Sequence, residues 1–278
     1  MLAPKPCPFP VHPALPIKRL PRRKYVTIAV GFNPSDGIVL CADTQETISS
    51  GFKRNQPKLE IRPHFHQHGT PCAVFAGAGD GPLVDHLIDK LWSKMAVSVS
   101  GIRKMIDAME NELLRAYKAL VPCFHAGFMP EAHLLVGVWC PPDSLELVET
   151  SGPVLTRKIA SKSIGCGETL SSYIEERLIA PKAELSDVIP VAIYIVDEAK
   201  KHVDGCGGET HVVTISASGK VERLHQFQVE PKTKKIEEID RLARQIAAVA
   251  MNETVTDDAA RYSIEQFVED IIKIRQKP

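Results

Sequence analysis

The stretch that decides the fold reads Thr27-Ile-Ala-Val-Gly31, Asp36-Gly-Ile-Val-Leu40, Ala42-Asp43-Thr44 and then Lys58-Leu59. Val26, Ile28, Val30 and Phe32 alternate with smaller residues at period two, the pattern of a strand. Asn33-Pro-Ser-Asp-Gly37 is a turn cluster of hairpin-loop length. Ile38-Val-Leu-Cys-Ala42 is a continuous apolar run, which predicts a strand buried on both faces. A hydroxyl, an acid and a lysine therefore recur across neighbouring strands. A second strand pair is expected at residues 58–62 and 72–76, leading into Ala76-Gly-Ala-Gly-Asp-Gly81.

Working outward, two amphipathic helices follow. Leu83, Val84, Leu87, Ile88, Leu91, Trp92 and Met95 form one apolar stripe, and Ile102, Met105, Ile106, Met109, Leu113, Leu114 and Tyr117 form another. Strands are expected at 133–139, 145–150 and 211–216, and helices at 169–178, about 190–202 and, as a pair, 234–274. Strand runs and helix runs are segregated. That order favours a layered α+β domain over alternating βαβ units and a parallel sheet.

Composition narrows the function classes. Lysine plus arginine and aspartate plus glutamate balance at 34 each, so no charge excess points to nucleic acid. No apolar run reaches the roughly 18 residues of a membrane span. Seven cysteines occur without a CxxC pair, which disfavours a zinc or redox motif and favours a reducing, cytoplasmic compartment. His64, His66 and His68 alternate, but the following Gly69-Thr-Pro71 reads as a solvated loop, and no metal or organic cofactor is expected. Pro82 stands where a dinucleotide loop would need its third glycine. Residues 1–24 carry seven prolines, six basic residues and no acid. They read as a disordered extension, a removable propeptide or a misassigned start, ahead of a domain at 25–228 and a helical extension at 229–278.

The candidate chemistry is nucleophilic. Threonine needs a base to attack a carbonyl. At a chain terminus its own α-amine, with an unperturbed pKa of about 7.7–8.0, serves as that base. Thr27 would have that amine only without residues 1–26. The Lys58 ammonium would favour the ionised hydroxyl, and Asp43 would hold Lys58 in place. Gly77, Ala78 and Gly79 could bring backbone amides to a developing oxyanion. Taken alone, a threonine such as Thr27 is more often an ordinary strand residue, and Asp43–Lys58 could be a plain structural ion pair.

These residues resemble the proteasome β-subunit and the bacterial HslV peptidase, N-terminal nucleophile hydrolases. The family opening Thr-Thr-Ile-Val/Ala-Gly is similar to Thr27-Ile-Ala-Val-Gly31. Its Asp-Gly-x-Val spacing to a second aspartate matches Asp36 to Asp43, its lysine matches Lys58, and its Gly-Ala-Gly segment matches Gly77-Ala-Gly79. Its Gly-Ser-Gly turn resembles Gly165-Cys166-Gly167, and its Asp-x-x-Ser-Gly-Gly motif resembles Asp204-Gly-Cys206-Gly-Gly208, one residue short. Thr47 falls where the family binds substrate backbone. The likeness spans about residues 26–225.

The resemblance implies a four-layer αββα sandwich with extra C-terminal helices and a threonine-type peptidase acting within a homo-oligomeric ring. Thr27, Asp43, Lys58, Cys166, Asp204 and Cys206 would be its catalytic set. Gly79, Gly77 and Thr47 would bind oxyanion and substrate. A peptide or unfolded protein is the implied substrate, and an ATP-dependent unfoldase a candidate partner. Two departures stand out. Val26 replaces the glycine that usually precedes the nucleophile, and Cys166 and Cys206 replace serines, which bears on self-cleavage and activity. A non-catalytic α-type structural or gating ring subunit is the alternative. An amidase or ligase on the same fold is another, because a fold does not settle a reaction.

Overall fold

The computed structural model describes residues 27–47, 52–65, 67, 69–98, 101–123, 130–142, 144–179 and 182–276. The proline-rich segment, Val26, His66 and His68 lie outside them. The described residues form a mixed α/β structure with three antiparallel sheets and six α-helices.

The first sheet has the order β10-β1-β2-β11-β12: β1 Ile28–Phe32, β2 Gly37–Asp43, β10 Ser161–Gly165, β11 Thr210–Ser216 and β12 Val221–Leu224. The second has the order β5-β6-β7-β8-β9: β5 Leu59–Arg62, β6 Cys72–Gly79, β7 Ala132–Cys140, β8 Ser144–Ser151 and β9 Val154–Thr156. A two-stranded ribbon joins β3 Gln45–Thr47 to β4 Lys53–Asn55. The helices are α1 Gly81–Met95, α2 Ile102–Leu120, α3 Glu168–Leu178, α4 Leu185–His202, α5 Gln226–Met251 and α6 Asp257–Gln276.

Alternation along the strands explains how the layers join. On β2, Ile38, Leu40 and Ala42 face a core shared with Val74, Ala76, Ala78 and Leu135 of the second sheet. Val39 and Cys41 point the other way, into a core with Ile193 and Val196 of α4. Likewise β6 sends Val74, Ala76 and Ala78 inward, and Ala73 and Phe75 outward against Leu87, Leu91 and Met105 of α1 and α2. Every residue of β2 is buried, as its unbroken apolar run requires. The sheets approach closely at two glycines. A Cβ at Gly31 would lie 2.7 Å from Leu135 Cδ2, and one at Gly137 2.9 Å from Ile38 Cγ2.

Two caps fix helices near the strand ends. Asp80 accepts a hydrogen bond from the Leu83 amide at 3.2 Å, and Pro82 supplies a preset φ in the first turn of α1. The start of α4 is tied to the β1–β2 turn, where the Leu185 amide donates to Asp36 Oδ1 at 2.8 Å. This helix begins five residues earlier than the expected 190, with Pro190 accommodated inside it. Helix α5 likewise starts at Gln226, well before the expected 234, and Val229 joins the core formed by α4 and the first sheet.

Candidate functional site

Strand register brings the sequence-predicted residues together. Ala29 pairs with Ala42 and Ile28 with Gly165, so Thr27, at the entrance to β1, lies beside both Asp43 and Cys166. Thr210 pairs with Asp43 on the other side, which carries the preceding 204–209 loop to the same end of the sheet.

Asp43 is the hub. Its side chain is fully buried, and an isolated carboxylate there would be strongly disfavoured. Three donors compensate. Oδ1 accepts from Lys58 Nζ at 2.6 Å and from the Ile28 amide at 3.1 Å, and Oδ2 accepts from the Gly207 amide at 3.0 Å. The Lys58 side chain is itself only 8% exposed. One carboxylate thus fixes the ammonium, the peptide following Thr27 and the glycine loop.

Thr27 is 7% exposed. Its carbonyl oxygen accepts from the Cys166 amide at 2.8 Å and from Cys166 Sγ at 3.3 Å. Gly165 must be glycine here: its φ is +96°, and a Cβ would collide with that same carbonyl oxygen. Cys166 Sγ also lies 3.5 Å from Cys206 Sγ. The hydrogen bond from the Cys206 thiol draws the Cys166 thiol down to about 6, against the opposing effect of burial. The same contact, with burial, pushes the Cys206 thiol up.

The remaining predicted residues take different places. Gly79 ends β6 at φ +126°, where a Cβ would strike the Glu131 carbonyl, so its backbone turns as only glycine readily does. The space beside Gly77 is filled by the Val84 side chain of α1. Thr47 ends β3 and pairs with Lys53. Asp204 is exposed on the turn after α4. No three His, Cys, Asp or Glu side chains among the described residues are grouped to hold a metal ion.

Sequence reasoning missed the second layer of contacts. The Gly207 carbonyl accepts from the amides of Thr44 at 3.3 Å and Gln45 at 3.0 Å, while Thr44 Oγ1 accepts from the Glu209 amide at 2.8 Å. Gln45 Nε2 reaches the Gly205 carbonyl at 3.0 Å. These bonds clamp the 205–209 loop onto the end of β2. The adjacency of Asp43-Thr44-Gln45 was visible, but partners about 160 residues away were not.

Comparison with solved structures shows the fold. Anbu (ancestral beta-subunit) from Yersinia bercovieri matches at 14% identity with a TM-score of 0.67, covering 83% of this chain and 100% of that one. Anbu from Hyphomicrobium sp. strain MC1 matches at 13% identity and TM-score 0.65, covering 83% and 100%. The Anbu complex of Pseudomonas aeruginosa, which forms a helical assembly, matches at 12% and 0.63, covering 79% and 96%. No family model and no curated protein matches the chain. These findings correct the assignment to the proteasome β-subunit and HslV peptidases drawn from the motifs: the similar structures are Anbu proteins. The physical reason is that short glycine, aspartate and lysine motifs recur wherever the same strand ends are built, so they report the fold more than the family.

Proposed function

We propose that this chain is a threonine-type N-terminal nucleophile hydrolase, a peptidase that works as a subunit of an Anbu-like homo-oligomer. The observation that carries the reading is the Asp43 carboxylate, which joins the Lys58 ammonium, the Ile28 amide and the Gly207 amide beside Thr27. A mere surface ion pair would not need three donors on a wholly buried acid.

In this reading residues 1–26 are removed, and the Thr27 α-amine takes the proton of its own hydroxyl as Oγ attacks a peptide carbonyl. Lys58 stabilises the developing alkoxide, and Asp43 fixes Lys58. The Gly79 amide receives the oxyanion. Cys166 holds the Thr27 carbonyl, so the nucleophile cannot drift. The leaving amine departs with a proton, and water then hydrolyses the ester between Thr27 and the acyl group. No step calls for a metal or organic cofactor.

The finer architecture belongs to the same proposal. The shared core between the two five-stranded sheets, with α1 and α2 outside one and α3 and α4 outside the other, supports a four-layer αββα arrangement at 25–228, extended by α5 and α6. Assembly is supported by the helical Anbu complex of Pseudomonas aeruginosa. Five free cysteines among the described residues support a cytoplasmic setting. No helix among those residues is long and apolar enough to cross a membrane.

Thr27→Ala tests the reading. It should abolish hydrolysis of fluorogenic peptides while leaving oligomer size unchanged by light scattering. Undiminished turnover would remove Thr27 from the mechanism. The burial of Thr27, 7% exposed, favours a second reading as a non-catalytic assembly subunit. In that case neither protein would turn over any peptide.

A further inference from the structure

We infer that Cys166 and Cys206 form a redox-modification site, a dithiol that a hydroperoxide closes into an internal disulfide beside Thr27. The pair is built from two copies of one local sequence, Gly165-Cys166-Gly167 and Gly205-Cys206-Gly207. The first joins β10 to α3, and the second lies in the loop between α4 and β11. Forty residues apart in the chain, the two sulfurs meet at 3.5 Å. A disulfide holds its sulfurs at about 2.05 Å, so closure from 3.5 Å needs an approach of about 1.5 Å.

The other described thiols explain why this pair is singled out. Cys41, Cys72 and Cys140 are fully buried. Burial pushes the Cys41 and Cys140 thiols up and that of Cys72 to about 12, which suppresses the reactive thiolate. Cys166 is only half-buried and has its thiol drawn down by Cys206. It is therefore the attacking thiolate, and Cys206, which keeps its proton, is the resolving thiol.

The step balances. The Cys166 thiolate attacks one peroxide oxygen, the O–O bond breaks, and the alkoxide leaves and takes a proton from solvent. Cys166 is then a sulfenic acid. The Cys206 sulfur attacks the Cys166 sulfur, the S–O bond breaks, and the departing hydroxide takes the Cys206 proton as water. Two thiols and one hydroperoxide become one disulfide, one alcohol and one water, with two electrons passing to the peroxide.

The site would feel the closure. Cys166 holds the Thr27 carbonyl through its amide, and Gly207, next to Cys206, holds Asp43. Any loss of peptide turnover on oxidation rests on the function proposed above; the disulfide does not.

Two readouts keep these apart. The full chain is treated with hydrogen peroxide at neutral pH, its free thiols are blocked with N-ethylmaleimide, and its peptides are mapped without reduction. A Cys166–Cys206 cross-linked peptide is expected, lost on dithiothreitol treatment, absent from Cys166→Ser and Cys206→Ser, and equally abundant in Thr27→Ala. In Cys206→Ser, dimedone should trap a sulfenic acid on Cys166. The inference is overturned if both cysteines stay open to maleimide after peroxide. It is also overturned if wild-type Cys166 accumulates as a sulfenic or sulfinic acid without the cross-link.

Discussion

Asp43 and Lys58 form a 2.6 Å ion pair in which the carboxylate is fully buried and the lysine side chain is 8% exposed. Such a pair is weak evidence of net stability, because desolvation offsets attraction, but removing one partner strands the other. Lys58→Met should therefore destabilise the fold by about 3–5 kcal/mol in urea unfolding. The Asp43→Asn, Lys58→Met double variant should recover part of that loss, since no buried charge is left unpaired. A cost below about 1 kcal/mol for Lys58→Met would place the pair among ordinary surface ion pairs.

Gly165 and Thr27 are coupled through backbone shape. At φ +96° Gly165 sits in the left-handed region, and a methyl group there meets the Thr27 carbonyl oxygen. Gly165→Ala should cost on the order of 1–3 kcal/mol and should lower peptide turnover by displacing Thr27. Wild-type stability in thermal unfolding would show that the β10–α3 turn tolerates a side chain.

The Cys166 thiol gives a pH signature. Its pKa is drawn below the ordinary thiol value to about 6, so it loses its proton at lower pH than an ordinary cysteine. Alkylation of Cys166 by iodoacetamide, followed by peptide mass, should rise as pH increases through about 6 and then level off. A rate still climbing toward pH about 8.5, as for an unperturbed cysteine, would contradict the Cys206 hydrogen bond.

Much of the fold was legible because period-two and period-3.6 patterns are local. The hairpin of β1 and β2, the doubly buried run of β2 and the stripes of α1 and α2 all follow from spacing within a dozen residues. The short strands β3, β4, β9, β10 and β12 were not read, because none of them alternates apolar with polar residues. Lys53-Arg-Asn55 is exposed throughout and pairs with β3, so no apolar signal marks it. The early start of α4 was hidden by Pro190, which reads as a helix boundary but lies inside the helix.

The site was half legible for the same reason. Thr27, Asp43 and Lys58 lie close in sequence on adjoining strands, and the structure brings Asp43 into contact with Lys58 and with the peptide after Thr27. Gly77 turns its open side toward Val84, as alternation along β6 requires. Asp204 is exposed, while Gly207, three residues on, bonds Asp43. Which residue of a glycine loop reaches a buried carboxylate depends on the path of the loop, and sequence spacing does not encode that path.

The most direct test is the intact mass and N-terminal sequence of the protein purified from its native cells. The first residue is expected to be Thr27, with a free α-amine beside its own hydroxyl. A mature, assembled chain that still carries Val26 ahead of Thr27 would contradict it, because the hydroxyl would then have no terminal amine to serve as its base.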